Sequence, residues 1–230
     1  MSGRAAPVVL VAPSGTGKTT LARRLVADSP EYVFSVSVTT RRPREGEVDG
    51  VDYRFVDQPV FRGMVEAGDL AEWAEVHGRH YGTPRAELER ASARGEHPVL
   101  DIDVQGARRI SQAVPGAKLI FVLPPDVDTL LARLTGRGTE DPADVAHRLR
   151  SARRELQAVD EFAYVVVNDD LEGCLSAIRG IVAGSGEGIG REAASRRARM
   201  LGEAIDRVLR DRYSEHANTS DRSTDESLHA

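Results

Sequence analysis

The sequence predicts an α/β fold built on a mostly parallel sheet with helices on both faces. Short apolar, β-branched runs have the length and composition of buried strands, and they include Val8–Val11, Lys118–Leu123 and Tyr164–Val167. Segments with helical spacing of apolar residues, such as 19–27 and 171–182, alternate with them. Strands that are apolar along their whole length are typical of parallel sheets covered on both faces, so a three-layer arrangement is favoured.

Two segments interrupt this alternation. Residues 37–95 are longer than a simple crossover and include a basic stretch with proline and glycine, so we interpret them as an inserted subdomain. An arginine-rich segment, 128–160, is a second and smaller insertion. The predicted organisation is one domain at 7–183, with its core at 7–36, 96–127 and 161–183, then a flexible linker at 184–190, a basic helix at 191–212 and a disordered tail at 213–230.

The composition excludes several classes of protein. A formal net charge of −5 over 230 residues provides no overall basic field, so we expect no nucleic-acid partner. The one cysteine, Cys174, allows no internal disulfide, which favours a reducing compartment. The N-terminal apolar run is too short for a signal peptide, and no stretch approaches the length of a membrane span. We therefore expect a cytoplasmic protein without a membrane partner.

The stretch VVLVAPSGTGKTT, which begins at Val8, predicts a phosphate-binding loop between a strand and a helix. Gly15 and Gly17 allow backbone N–H groups to turn towards phosphate oxygens, and the helix N-terminus adds favourable partial charge. Lys18 would bridge the outer phosphates, and the hydroxyl group of Thr19 would bind Mg²⁺. The alternative, a glycine-rich turn without a ligand, is disfavoured by this strand–loop–helix context.

Two details of the loop bear on this prediction. Ala12 stands where the motif G-x-x-x-x-G-K-[ST] has its first glycine, and we expect modest local strain at most from one methyl group. Lysine is rare in this chain, since Lys18 and Lys118 are the only lysines among 31 basic residues, and an ammonium differs in chemistry from a guanidinium. The predicted triphosphate-binding residues are Ala12, Pro13, Ser14, Gly15, Thr16, Gly17, Lys18, Thr19 and Thr20.

A cluster of arginines follows the next predicted strand, which spans 34–38. Arg41, Arg42 and Arg44 lie within four residues of one another. Because a guanidinium pairs with phosphate through two parallel hydrogen bonds, the cluster is a candidate cradle for a phosphate group. A solvated basic loop explains the same residues equally well, since arginine is abundant throughout the chain.

Five further motifs occur in the order and approximate spacing found in guanylate kinases: SVSVTTRRPREGEVDGVDYRF, EWAEVHGRHYGT, VLDIDVQG, GRGTE and VVVNDD. Together with the loop, the chain resembles that family from about Pro7 to Val182. The resemblance implies a P-loop kinase fold that transfers a phosphoryl group from ATP to GMP. It also implies that the insertion at 37–95 binds GMP and that the segment 128–160 is a mobile helical lid.

The resemblance assigns roles to residues of the insertion and the neighbouring strand. Glu72 matches the carboxylate that reads guanine, and Ser37 matches its companion hydroxyl group. Guanine offers two donors, N1–H and the 2-amino group, which a carboxylate accepts. Without the resemblance, Glu72 reads as a surface glutamate. The full predicted GMP-binding set is Ser37, Arg41, Arg44, Tyr53, Glu72, Tyr81, Thr83, Asp101 and Asp103.

Residues of the lid and its neighbourhood match the catalytic groups of the family. The predicted catalytic residues are Lys18, Arg41, Arg137 and Arg148, while Arg133, Arg137 and Asn168 join the ATP-binding set. The expected cofactor is Mg²⁺, held by Thr19 with Asp101 or Asp103 through water. Asp101 and Asp103 lie two residues apart in a predicted buried strand, so we expect them to face the same side. The sequence leaves open which aspartate serves the metal ion and which serves GMP.

Two other functions are compatible with these residues. A related kinase with another phosphorylated acceptor is one alternative, and a catalytically silent binding module with a guanylate kinase-like fold is another.

His77 and His80 lie three residues apart without a second pair of ligands, so a zinc site is disfavoured. The basic segment 191–212, outside the resemblance, is interpreted as a solvated helix. Oligomeric state is left open.

Overall fold

The computed structural model describes residues 5–76, 78–136 and 140–216. Within these residues, a five-stranded sheet has the order β2-β7-β1-β8-β9, and every neighbouring pair is parallel. Its strands are β1 (Val8–Val11), β2 (Tyr32–Phe34), β7 (His97–Asp101), β8 (Lys118–Leu123) and β9 (Tyr164–Val167). The predicted α/β fold with a mostly parallel core sheet is confirmed.

Successive residues of β1 enter two separate hydrophobic clusters, as expected for a strand buried on both faces. Val8 and Leu10 pack on one face with α1 (Lys18–Asp28) and α7 (Leu171–Ala183). Val9 and Val11 pack on the other face. The helices of that face are α4 (Val104–Ala113), α5 (Val127–Thr135), α6 (Pro142–Glu155) and α8 (Arg191–Tyr213), with a 3-10 helix at Leu156–Glu161.

The insertion forms a second sheet in the order β4-β3-β6-β5, which sequence periodicity did not predict. Its strands are β3 (Val38–Thr39), β4 (Arg54–Phe55), β5 (Leu70–Val76) and β6 (Arg79–Pro84), with helices α2 (Gln58–Glu66) and α3 (Arg85–Arg94) beside them. The predicted strand 34–38 is also wrong as one element, because the chain leaves the core sheet at Phe34 and enters the second sheet at Val38. An apolar run shows that residues are buried, but it carries no information about which sheet receives them.

Local capping explains where several helices begin. The side chains of Asp126, Asp141 and Asp170 accept hydrogen bonds from backbone N–H groups at the starts of α5, α6 and α7. Helix α6 ends at Glu155, and the 3-10 helix Leu156–Glu161 follows it directly. None of the helices in the described ranges is long and apolar enough to cross a membrane.

The C-terminal segment differs from the expected solvated helix on a flexible linker. Gly188 forms a parallel bridge with Val165, and the N–H of Ile189 donates to the carbonyl oxygen of Val165 at 2.8 Å, so this part of 184–190 is paired with the core sheet. Helix α8 then buries one apolar face in the larger hydrophobic cluster. A short 3-10 helix at Ser214–His216 follows α8, and the rest of the predicted tail lies outside the described residues.

Candidate active site

The glycine-rich loop lies at the carboxyl end of β1, where parallel α/β sheets bind their ligands. Gly15 and Gly17 have φ angles of 85° and 94°, a region that favours glycine. A Cβ atom on Gly15 would lie 2.7 Å from a methyl group of Leu134, and one on Gly17 would lie 2.9 Å from Nδ2 of Asn168. Both glycines are therefore required by backbone conformation and by close neighbours.

Ala12 has a packing role at the end of β1. It is 8% exposed and belongs to the hydrophobic cluster that β1 forms with α1 and α7. Ala12 therefore packs against apolar neighbours of the core while it also borders the cavity above the loop. The absence of the first glycine of the motif is accommodated by the core.

Two side chains hold the loop backbone from behind. The carbonyl oxygen of Thr16 accepts hydrogen bonds from Nη1 of Arg133 at 2.7 Å and from Nδ2 of Asn168 at 2.8 Å. Nη2 of Arg133 also donates to the carbonyl oxygen of Asn168 at 3.3 Å. Arg133 and Asn168 were predicted to bind ATP. In this structure they hold the backbone of the loop in place.

Helix α6 contacts the loop at Ser14 through two side chains. Nε of Arg148 donates to Oγ of Ser14 at 3.2 Å, and the backbone N–H of Ser14 donates to a carboxylate oxygen of Glu155 at 3.1 Å. Burial raises the pKa of Glu155, while the Ser14 N–H and Lys18 act to lower it. Glu155 was not predicted, because a glutamate seven residues after Arg148 on a charged helix gives no sequence signal.

Lys18 is fixed between the loop and the end of β7. Its Nζ donates to the carbonyl oxygen of Ile102 at 2.6 Å and lies 2.9 Å from Oδ1 of Asp101. The other carboxylate oxygen of Asp101 accepts from the hydroxyl group of Thr19 at 2.6 Å. Asp101 thus joins the ammonium of Lys18 and the hydroxyl group of Thr19, the two groups predicted to contact phosphate and Mg²⁺.

The loop and α6 enclose a cavity of about 410 Å³, which holds Ser151 and His147 beside Arg148 and Glu155. A second cavity, of about 220 Å³, lies between the two sheets. It is lined by Lys18, Ser37, Arg41, Arg44, Tyr53, Glu72, Ala74, Tyr81, Asp101, Ile102 and Asp103. Lys18 lines both cavities, so the two spaces adjoin at this residue.

Glu72 lies in the second cavity with an unusual environment for a carboxylate. It is 6% exposed, and burial raises its pKa to about 7, against the lowering effect of a hydrogen bond from Thr83. The hydroxyl group of Thr83 donates to Oε1 of Glu72 at 2.7 Å. On the other side, a Cβ atom on Gly106 would lie 3.1 Å from Oε2 of Glu72, so Gly106 leaves space for the carboxylate.

The arginines of the insertion border the same cavity. Arg41 donates two hydrogen bonds to Glu47, at 2.8 and 2.9 Å, and its guanidinium lies 5.3 Å from the ring centroid of Tyr53. Burial raises the pKa of Tyr53 to about 12, so its phenol keeps its proton as a hydrogen-bond donor. The rings of Tyr53 and Tyr81 meet edge to face, with centroids 6.0 Å apart.

Asp101 and Asp103 differ in their positions, although the sequence predicted both for one strand. β7 ends at Asp101, and Asp103 is the N-cap of α4, where its Oδ1 accepts from the N–H of Gly106 at 2.8 Å. Both still border the second cavity. The spacing of two residues was misread as strand alternation because the chain turns directly after β7.

A wider cavity, of about 1230 Å³, opens at the opposite end of the core sheet. It is bordered by Tyr32, His97 and Lys118, which begin β2, β7 and β8. Ligands of open parallel sheets bind outside the carboxyl ends of the strands, and this cavity lies at the amino ends. The predicted site residues therefore converge at the loop and not in this wider cavity.

The chain matches a known protein family over most of its length. The family model described as guanylate kinase matches residues 4–184. The guanylate kinase of Nocardia farcinica is 53% identical over 166 residues, covering 71% of this chain and 86% of that protein, and the one of Myxococcus xanthus is 48% identical over 176 residues, covering 76% and 84%. The chain belongs to the guanylate kinase family.

The solved structures agree with this assignment. The crystal structure of guanylate kinase from Anaplasma phagocytophilum superposes with a TM-score of 0.65 at 32% identity, and the match covers 83% of this chain and 93% of that one. The P-loop kinase fold of the family, expected from the motifs, is thereby confirmed. Helix α8 lies beyond the residues matched by the guanylate kinase model.

The structure brings most of the predicted site residues to two adjoining cavities. Thr83, Arg133 and Asn168 line neither cavity and instead contact Glu72 or the loop backbone. Arg137 lies outside the described residues, as does His77 of the disfavoured zinc pair. Glu47, Gly106 and Glu155 are site neighbours that were not predicted. Glu155 contacts Ser14 across 141 residues of sequence, which no local pattern reveals. Glu47 and Gly106 lie inside two of the motifs quoted above, but nothing in those motifs singled out their contacts with Arg41 and Glu72.

The residues around Thr19 fit a magnesium ion held mainly by nucleotide phosphates. Mg²⁺ takes oxygen ligands and usually needs only one or two from the protein. The hydroxyl group of Thr19 and the carboxylate of Asp101 are such oxygens, already within 2.6 Å of each other. Within the described parts of the chain, no group of three or more His, Cys, Asp or Glu side chains forms a metal cluster.

Proposed function

We propose that this protein transfers the γ-phosphoryl group of ATP to GMP, giving ADP and GDP. One observation carries the proposal: Lys18 borders both the loop cavity and the cavity that contains Glu72. A cation at this junction would neutralise charge on the phosphoryl group as it passes from donor to acceptor. Membership of the guanylate kinase family supports the same reaction.

ATP would place its phosphates in the loop cavity. The N–H groups around Gly15 and Gly17, the N-terminus of α1 and the ammonium of Lys18 provide positive charge for them. Arg148 approaches the same space through Ser14. Thr19 and Asp101 would hold Mg²⁺, which neutralises phosphate charge when bound.

GMP would place its base against Glu72 in the second cavity. An ionised Glu72 accepts from both N1–H and the 2-amino group of guanine, whereas adenine presents a lone pair at N1. A buried carboxylate left unpaired penalises the wrong base strongly. Ser37, which is 9% exposed, is the companion hydroxyl group in this cavity.

The phosphate of GMP would lie between the base pocket and Lys18. Arg41, Arg44, Tyr53 and Tyr81 border this part of the cavity and offer guanidinium and phenol donors. The guanidinium of Arg41, now paired with Glu47, is held in place before the phosphate arrives. Such prearrangement reduces the entropic cost of binding.

The reaction needs no general base, because the acceptor phosphate is already an anionic nucleophile. The protein therefore contributes alignment of donor and acceptor and neutralisation of developing charge. Lys18, Arg41 and Arg148 are the described residues proposed for this role, and Arg137 is proposed with them from the family pattern. Water exclusion by the segment 128–160 would prevent hydrolysis of ATP.

Two other functions predict different results in one assay. A silent binding module would bind GMP without transferring phosphate, and a kinase for another acceptor would prefer a different monophosphate. The test is a coupled assay with ATP, Mg²⁺ and a panel of GMP, AMP, UMP and a sugar phosphate. Preferred turnover of GMP supports the proposal, and its absence while another acceptor turns over would refute it. We propose purine nucleotide metabolism, in the cytoplasm, as the setting of this reaction.

A further inference from the structure

Helix α8 packs on the helix that contacts the phosphate-binding loop. Its buried residues Ala194, Ala198, Leu201 and Ile205 follow one another at helical spacing and share a hydrophobic cluster with α6 and the 3-10 helix Leu156–Glu161. The small side chains among them allow the helices to approach closely.

Polar contacts add a defined register to this packing. Nε of Arg153, on α6, lies 3.1 Å from a carboxylate oxygen of Asp206. A Cβ atom on Gly202 would lie 3.0 Å from Cζ of Arg153, so the guanidinium rests directly on the α8 backbone. Near the start of α8, Arg191 donates to the carbonyl oxygen of Asp160 at 3.1 Å.

The two sides of α6 therefore have different partners. Leu149, Ala152 and the following Leu156 enter the apolar cluster that contains α8. Arg148 and Glu155 lie on the loop-facing side, where both contact Ser14. A shift of α6 would displace both contacts, and small displacements of such groups have large effects on phosphoryl transfer.

We propose that α8 is a positioning element for ATP: it holds α6 in the place where Arg148 and Glu155 contact Ser14. The residues that act are Ile205, which is fully buried, and Asp206, which pairs with Arg153. This inference deepens the proposed function and rests on it for the identity of the nucleotide. Neither Ile205 nor Asp206 contacts the loop, so each acts through α6.

The test compares two cavity-forming variants of the full chain. Ile205→Ala removes packing between α8 and α6, and Ile178→Ala removes an equally buried side chain from α7, in the cluster on the other face of the sheet. We expect Ile205→Ala to raise the KM for ATP and the Kd for ATP about tenfold, with the KM for GMP within about twofold of wild type. Ile178→Ala should lower the melting temperature without changing either nucleotide constant.

A second variant and a second readout complete the experiment. Asp206→Asn keeps the helix packing and removes the ion pair, so a rise of about threefold in the Kd for ATP is expected even if Ile205→Ala fails to fold. Hydrogen exchange in the ATP-free protein should be faster at the loop segment containing Ser14 in both α8 variants. The inference is overturned if the α8 variants match Ile178→Ala in ATP affinity and loop exchange. ATP affinity is measured without GMP. The result for α8 is therefore independent of whether the wild type phosphorylates GMP, and failure of the α8 inference can be told apart from failure of the proposed function.

Discussion

The hydroxyl group of Thr83 donates to Oε1 of Glu72 at 2.7 Å, from a strand residue that is itself fully buried. This bond positions a carboxylate in the cavity proposed for guanine and partly offsets the cost of burying it. The remaining cost appears as a pKa of about 7 for Glu72 in the folded chain.

The raised pKa of Glu72 predicts a pH-dependent stability difference. The folded state holds this proton more tightly than the unfolded state, whose glutamate has an ordinary pKa of about 4.3, so ionisation destabilises the fold as pH rises from about 4 to about 7. Urea denaturation should show Glu72→Gln to be more stable than wild type at pH 8 by up to about 3 kcal/mol, with little difference at pH 4.5. Glu45→Gln, at an exposed position, is the control. An equal effect of Glu72→Gln at both pH values would contradict the assignment.

The same substitution should weaken selection of the base. Glutamine offers one acceptor oxygen and turns an amide donor towards a guanine donor. We therefore expect kcat/KM for GMP to fall about 100-fold, and the ratio of kcat/KM for GMP to kcat/KM for AMP to fall with it. Glu75→Gln is a matched control on the same strand, because residue 75 is exposed on the opposite face. An unchanged preference for GMP over AMP would remove Glu72 from the proposed role.

Lys18 should be essential for turnover but not for acceptor binding. In Lys18→Ala we expect kcat to fall about 1000-fold, since the group that neutralises charge between the two cavities is lost, while the Kd for GMP stays within about threefold. The control is Lys118→Ala, whose ammonium lies 5.5 Å from the ring centroid of Tyr164 and away from both cavities. Near-normal turnover in Lys18→Ala would be incompatible with the loop assignment.

Arg148 should not be replaceable by lysine. Its guanidinium donates to Oγ of Ser14 and, at 3.3 Å, to the carbonyl oxygen of Leu134, and a lysine ammonium lacks the planar fork that makes both contacts. We expect Arg148→Lys to lower kcat about 100-fold in the coupled assay with an unchanged melting temperature. Arg94→Lys, on the exposed side of α3, serves as the reference, and equal activities of the two variants would exclude a special role for Arg148.

Local sequence determined a large part of this protein. The apolar runs of β1, β8 and β9, and the loop with Gly15, Gly17 and Lys18, were readable from neighbouring residues. Each depends on properties of a few consecutive positions: backbone conformation or an unbroken apolar run. The motifs of the family resemblance then predicted which residues belong together.

Only the tertiary structure decided how distant segments complete the site. Pairing of β5 with β6 brings Thr83 to Glu72, and the close approach of α4 places Gly106 beside the same carboxylate. Packing of α6 brings Glu155 to Ser14, and packing of α8 brings Asp206 to Arg153. These partners are 11 to 141 residues apart in sequence, from Thr83 with Glu72 to Glu155 with Ser14, so local patterns carry little information about them. Long-range contacts are fixed by which buried faces fit together, and that choice belongs to the whole chain.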